Sequence, residues 1–154
     1  MEEQSKDIII RPIGHVENGF DTTVHEGYEA ISSDIVLRKE LSEALDGIEH
    51  NSHVVVLFWM DRIEKEGRAV KKLHPKGRED LPLVGVLATR SPNRPNPIGT
   101  RAVRLLKRQG NVLKVLGLDA LNGSPVLDIK PYSLKHDMVE DAQVPPWAKH
   151  LQKG

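Results

Sequence analysis

The stretch Leu83-Val-Gly-Val-Leu-Ala-Thr-Arg-Ser-Pro-Asn-Arg-Pro-Asn-Pro-Ile-Gly99 sets the tightest limit on what this chain can become. Pro92, Pro95 and Pro97 each fix φ and lack an N–H donor. Ser91, Arg94 and Asn96, which precede them, are pushed toward extended backbone. Helix is excluded here, and a stiff polar corner is expected after a buried strand over Leu83–Ala88. Such a corner holds Arg90, Arg94 and Asn96 in fixed directions, with Arg101 just beyond. Fixed guanidinium groups suit carboxylate or phosphate recognition, because the planar fork is pre-organised. A proline-stapled corner with solvated arginines reads the same way.

The rest of the chain reads as short strands. Ile8–Ile13 is expected to be a first strand, with Pro12 at an edge or bulge. His15–Tyr28, which holds His15 and His25, reads as loop. Ser32–Leu37 alternates, with Ile35 and Leu37 on one face. Over Arg38–Ile48 the period becomes helical, with Gly47 near the end as a cap. His50 and His53 stand three apart, but no third ligand is near and the pair reads as loop entry to a strand, so no metal site is expected. Val54–Met60 is β-branched and aromatic on both faces, which predicts a central strand buried on both sides. Asp61 and Arg62 follow at its end. Glu64–Leu81 reads as charged surface loop.

Thr100–Arg108 predicts a strand with Arg101, Val103 and Leu105 on one face and Thr100, Ala102 and Arg104 on the other. Gln109-Gly110-Asn111 is a hairpin turn, Val112–Leu118 returns antiparallel, and Asn122-Gly123 marks a second turn. In Val126–Tyr132, period 2 puts Leu127 and Ile129 on one face and Asp128, Lys130 and Tyr132 on the other. About six to eight short strands with tight turns indicate a mainly β fold, a small β-barrel with one short helix and irregular loops. The barrel is expected over residues 8–132, with 133–154 a tail and no separate domain. Physics alone gives this barrel a polar site of Arg90, Arg94, Asp128, Lys130 and Tyr132.

Composition narrows function. The 154 residues include no cysteine, which excludes disulfides and thiolate chemistry. There is no Walker, Gly-x-Gly-x-x-Gly or Gly-x-Ser-x-Gly motif. The charged start lacks the apolar region of a signal peptide, and the longest apolar run is too short to span a bilayer, so a soluble cytoplasmic protein with no membrane contact is expected. Net charge is zero, yet Leu81–Leu118 has no acid and seven cations: Arg90, Arg94, Arg101, Arg104, Lys107, Arg108 and Lys114. That asymmetry suggests one positive face for a polyanion.

Three stretches resemble one family: Ser52-His53 with Phe58–Arg62, Gly85–Gly99, and Leu118–Tyr132. The chain looks like the TsaA-like family, whose characterised members are tRNA methyltransferases. These use S-adenosylmethionine to methylate N6 of threonylcarbamoyl-adenosine beside the anticodon. The resemblance covers roughly residues 8–132 and implies a small β-barrel with the cofactor near a homodimer interface. It implies cofactor contacts at Asp61, Arg62, Arg90, Thr100, Leu118, Asp119, Ala120 and Leu121. The Asp128, Lys130 and Tyr132 face would lie toward the substrate base as the catalytic group. The family's Pro-Arg-Gln element has no match between His15 and Tyr28. Longer members carry a further C-terminal domain, so RNA contact is expected from the barrel face or a partner.

If so, Asp128 or Tyr132 serves as base for the urea-like N6, and Lys130 lowers the phenol pKa. Arg94 or Arg101 would read the threonyl carboxylate, with Asn96 also toward the substrate. Two other readings remain: a non-catalytic barrel that binds RNA or an adenosyl ligand, and a methyltransferase with a different small substrate.

Overall fold

The structure is a computed structural model that describes residues 6–22 and 26–151. His25 therefore lies outside the described residues. Six antiparallel strands close a barrel: β1 (Gly14–Glu17), β2 (Ser32–Leu37), β3 (His53–Trp59), β6 (Ile98–Gln109), β7 (Val112–Leu116) and β8 (Pro125–Pro131). Their order around the barrel is β1-β2-β7-β6-β3-β8. A two-stranded ribbon of β4 (Lys72–Leu73) and β5 (Val84–Gly85) stands outside it.

Alternation builds the core. Val54, Val56 and Phe58 of β3 point inward with Ile35, Val103, Leu113, Val115 and Val126, all at most 4% exposed. Closure leaves the barrel strands without a free edge, which removes the usual route to edge-to-edge aggregation. The hairpin and second turn stand where Gly110 (φ 58°) and Gly123 (φ 81°) permit left-handed backbone.

Several expectations change. Ile8–Ile13 is not a strand: Ile8, Ile9 and Ile10 are 86%, 85% and 55% exposed, and sheet pairing starts only past Pro12, which has no donor to give. The expected loop from His15 starts too early, because β1 runs on to Glu17. The strand over Leu83–Ala88 shrinks to β5, followed by a 3-10 turn at Val86–Ala88 in which only Val86 is buried. Pairing with the short β4 outside the barrel gives that run one partner and little to pack against. β3 is central but buried on one face only; Val55, Leu57 and Trp59 are half-buried on the outside, because no second layer covers them.

The helical period at Arg38–Ile48 becomes 3-10, over Lys39–Leu45 and Ile48–His50, with Gly47 left-handed between them. True α-helix lies elsewhere, in α1 (Lys65–Arg68), α2 (Leu134–Asp137) and α3 (Pro146–Leu151). The expected single short helix is thus replaced by three short ones, two of them within residues 133–154. Among the described residues no helix is long and apolar enough to cross a membrane.

Candidate active site

Strand direction sorts the functional candidates. β3 ends, and β6 and β8 begin, at the same rim of the barrel. Asp61 and Arg62 leave β3 there, and Leu118, Asp119, Ala120 and Leu121 lead from β7 into the turn before β8. Arg62 binds these loops together. Its guanidinium donates to the carbonyl of Asp21 and, at 3.1 Å, to that of Asn122. Asn18 does the same from the other side, donating to Ser33 Oγ and to Ala120 O, each at 3.0 Å.

Leu118–Leu121 form one wall of a cleft whose other wall is Phe20, Tyr28 and Ile31. Leu118 and Ala120 are buried, while the Asp119 carboxylate is exposed. Beside it, Arg101 lies over the Tyr28 ring, 4.5 Å from the centroid, and donates to Tyr28 Oη at 2.6 Å. Stacking and a hydrogen bond together fix the guanidinium plane. Tyr28 escaped the sequence reading. It lies 73 residues from Arg101 in a loop without period; its one signal is an aromatic residue in a polar, Gly-punctuated segment.

The proline corner sits next to this rim. Met60 N–H donates to Pro97 O at 2.8 Å, which ties the corner to the end of β3. Arg68 clamps it from α1, donating to Pro95 O at 2.9 Å while its guanidinium lies 5.4 Å over Trp59. Within the corner Arg90 donates to Thr100 O at 3.0 Å, so these two cofactor candidates meet. Arg94 turns into its own loop, donating to Thr89 O at 3.1 Å and Ser91 O at 3.2 Å. It acts as a brace, whereas Arg101 reaches the cleft wall through Tyr28. Asn96 is exposed on the corner.

The register locates the acid–lysine–phenol edge. On the outer face Asp128 stands beside Leu57 and Leu57 beside Thr100; one row down, Lys130 stands beside Val55 and Val55 beside Ala102. Asp128 and Thr100 are therefore two strands apart, about 10 Å. A bulge at Leu57/Phe58 makes this possible, because it turns both Val126 and Ile129 to the core side while Asp128 and Lys130 stay out. The pair is joined, Lys130 Nζ to Asp128 Oδ2 at 2.9 Å, and Asp128 Oδ1 accepts from Ile129 N–H at 2.9 Å. Tyr132 is not brought to this place. It lies four residues on, about 13 Å along an extended chain, at the opposite rim beside His53.

The basic stretch is also partly neutralised. Arg108 pairs with Asp46 at 3.0 Å and Glu49 at 3.6 Å, and Lys114 with Asp34 at 3.3 Å. Among the described residues no group of three or more His, Asp or Glu side chains could hold a metal ion.

Residues 22–138 match the family model for the tRNA-methyltransferase O N-terminal domain. An S-adenosyl-L-methionine-binding protein of Archaeoglobus fulgidus is 41% identical over 140 residues, covering 88% of this chain and 97% of that protein. A rat tRNA (adenine(37)-N6)-methyltransferase is 31% identical over 156 residues, covering 96% of this chain but only 35% of its own length. The crystal structure of TrmO from Pseudomonas aeruginosa superposes with a TM-score of 0.72 at 32% identity, over 90% of this chain and 62% of that one. The chain thus spans less than two thirds of that structure and about a third of the rat enzyme.

Proposed function

Because the chain belongs to the tRNA-methyltransferase O N-terminal domain family, we propose that it transfers a methyl group from S-adenosylmethionine to N6 of adenosine in tRNA. The acceptor is the threonylcarbamoylated adenosine beside the anticodon. The observation that carries this reading is convergence: Arg62, Asn122 and Leu118–Leu121 meet at one rim, with Arg90 bonded to Thr100 beside it.

The residues at the rim fit the donor's chemistry. The exposed carboxylates of Asp61 and Asp119 would accept from its amino and hydroxyl groups, and the remaining N–H groups of Arg90 would hold its carboxylate. Buried Leu118 and Ala120 with half-buried Leu121 keep water from the cleft. Bound there, S-adenosylmethionine supplies a methyl group made electrophilic by a positively charged sulfur. Asp128 accepts the N6 proton as the new N–CH3 bond forms, and Lys130 holds that carboxylate in place. Arg101, set by Tyr28 on the core side of β6, reads the threonyl carboxylate across the rim from Asp128 on the outer side.

The cleft in one chain encloses only about 10 Å³, whereas small-molecule sites run to hundreds of Å³. A second copy completes it in a homodimer, and the exposed Leu87 beside the proline corner offers apolar surface for that contact. Its work is in the cytoplasm, where the RNA substrate is found.

The test is methylation of tRNA carrying the modified adenosine, read by nucleoside mass spectrometry. The expected product is heavier by one CH2, and Asp128→Asn lowers turnover by about 100-fold or more. Donor binding without any transfer would refute the enzyme and leave a binding module. A different methylated product would point to another substrate.

A further inference from the structure

The rim opposite the cleft carries a second constellation. Across the outer face, Arg104 of β6 is paired directly with His53 of β3. Tyr132 follows on the other flank, its N–H donating to His53 O at 3.1 Å. Guanidinium, imidazole and phenol thus lie in one row over three strands, about 10 Å from end to end. Beneath the row opens a groove of about 500 Å³, lined by His50, Asn51, Ser52, His53, Tyr132 and Leu134.

The charges around it favour an anion. Among the described residues Arg104 and Lys107 make no ion pair. Lys107 stands directly opposite Lys114 in the β6–β7 ladder, and Asp34, 3.3 Å from Lys114 Nζ, is engaged by that lysine. Of the acids adjoining the lining residues in sequence, Glu49 lies 3.6 Å from Arg108 and Asp137 accepts from Ser133 N–H at 2.7 Å. His53 Nδ1 is bonded to Ser52 Oγ at 2.8 Å, leaving Nε2 open. A flat aromatic surface beside unpaired cations suits a base and its phosphate.

We propose that this groove holds a nucleotide of the RNA substrate, with its base stacked on Tyr132, its phosphate on Arg104 and a neighbouring phosphate of the same strand on Lys107, three residues and about 10 Å farther along β6. The inference rests on the tRNA reading above, and it assigns a grip remote from the chemistry. The length of β3 separates His53 from Trp59, six residues and about 20 Å, before the turn that carries Asp61. Tyr132 is then an RNA contact rather than the base.

The experiment is a titration of the full chain with an anticodon stem-loop RNA across a salt series, read by fluorescence anisotropy. Arg104→Gln and Lys107→Gln should each weaken binding about five- to tenfold and flatten the slope of log K against log salt by about 0.7 to 0.9. Tyr132→Leu should weaken binding about tenfold with the slope unchanged. Calorimetric binding of S-adenosylmethionine should be the same in all three, and in the two cation variants KM for RNA should rise while kcat holds. RNA affinity and slope equal to wild type in the three variants would overturn the proposal. So would loss of donor binding along with RNA binding, because the groove would then belong to the cofactor rim. A wild-type chain that binds the donor but no RNA would overturn it too, while leaving the cofactor site standing.

Discussion

Replacing Gly99 by alanine tests how tightly the barrel core is coupled to the active rim. Gly99 pairs with Phe58 across β6 and β3. A Cβ there would stand 2.3 Å from Phe58 Cζ, 2.5 Å from Cε2 and 2.8 Å from Cε1. The ring is 4% exposed and belongs to the core cluster, so it has nowhere to swing. Overpacking of this kind costs about 1–3 kcal/mol, offset by about 0.4–1 kcal/mol from the stiffer unfolded chain. A net loss of about 1–2 kcal/mol is expected, which at this length lowers Tm by about 2–8 °C. Urea and thermal unfolding of Gly99→Ala would measure it. Shrinking the ring in a Gly99→Ala, Phe58→Leu double variant should recover part of the loss, with a coupling energy of about 0.5–3 kcal/mol. A Gly99→Ala protein as stable as wild type, or a double variant that is simply additive, would refute the steric account.

Arg62→Ala removes the guanidinium that joins Asp21 to Asn122. Both partners are loop carbonyls, so faster amide hydrogen exchange around Asn122 is expected, with global stability reduced by about 1 kcal/mol or less. Unchanged exchange would show that Asn18 alone holds the loops. Arg108→Ala frees the Lys39–Leu45 segment, because Arg108 donates to Ser42 O at 2.8 Å and pairs with Asp46; about 1–3 kcal/mol should be lost on unfolding in urea. Glu49 gives a pH readout of the same contact. Its own backbone N–H, and then Arg108, hold its carboxyl below its ordinary value. The stability it adds is present at neutral pH and fades as acid takes the pH down through that lowered pKa. An NMR titration of Arg108→Ala should show the Glu49 pKa moving back up, and an unmoved value would remove Arg108 from the cause.

Local chemistry was legible in the sequence; long-range pairing was not. Alternation gave Ser32–Leu37 with its faces right, and Gly110 and Gly123 marked both turns, because each signal lies within a few residues. The apolar run at Leu83–Ala88 misled because hydrophobicity says nothing about whether a partner strand will cover it. The motif-bearing residues Arg62, Arg90 and Leu118–Leu121 gather at one rim. Tyr132 was grouped with Asp128 by period 2, but a shared face along a strand does not make a shared site 13 Å apart. The Tyr28–Arg101 stack and the Tyr132–His53–Arg104 row come from register between distant segments, which no local pattern encodes.

The most direct measurement is an NMR titration of the isotope-labelled chain with S-adenosylmethionine. Amide shifts should concentrate at Asp61, Arg62, Arg90, Thr100 and Leu118–Leu121, and leave His50–His53 and Tyr132 unmoved. Shifts that gather in the His50–Tyr132 groove instead, or no saturable shifts at all, would contradict a donor site at the rim where β3 ends.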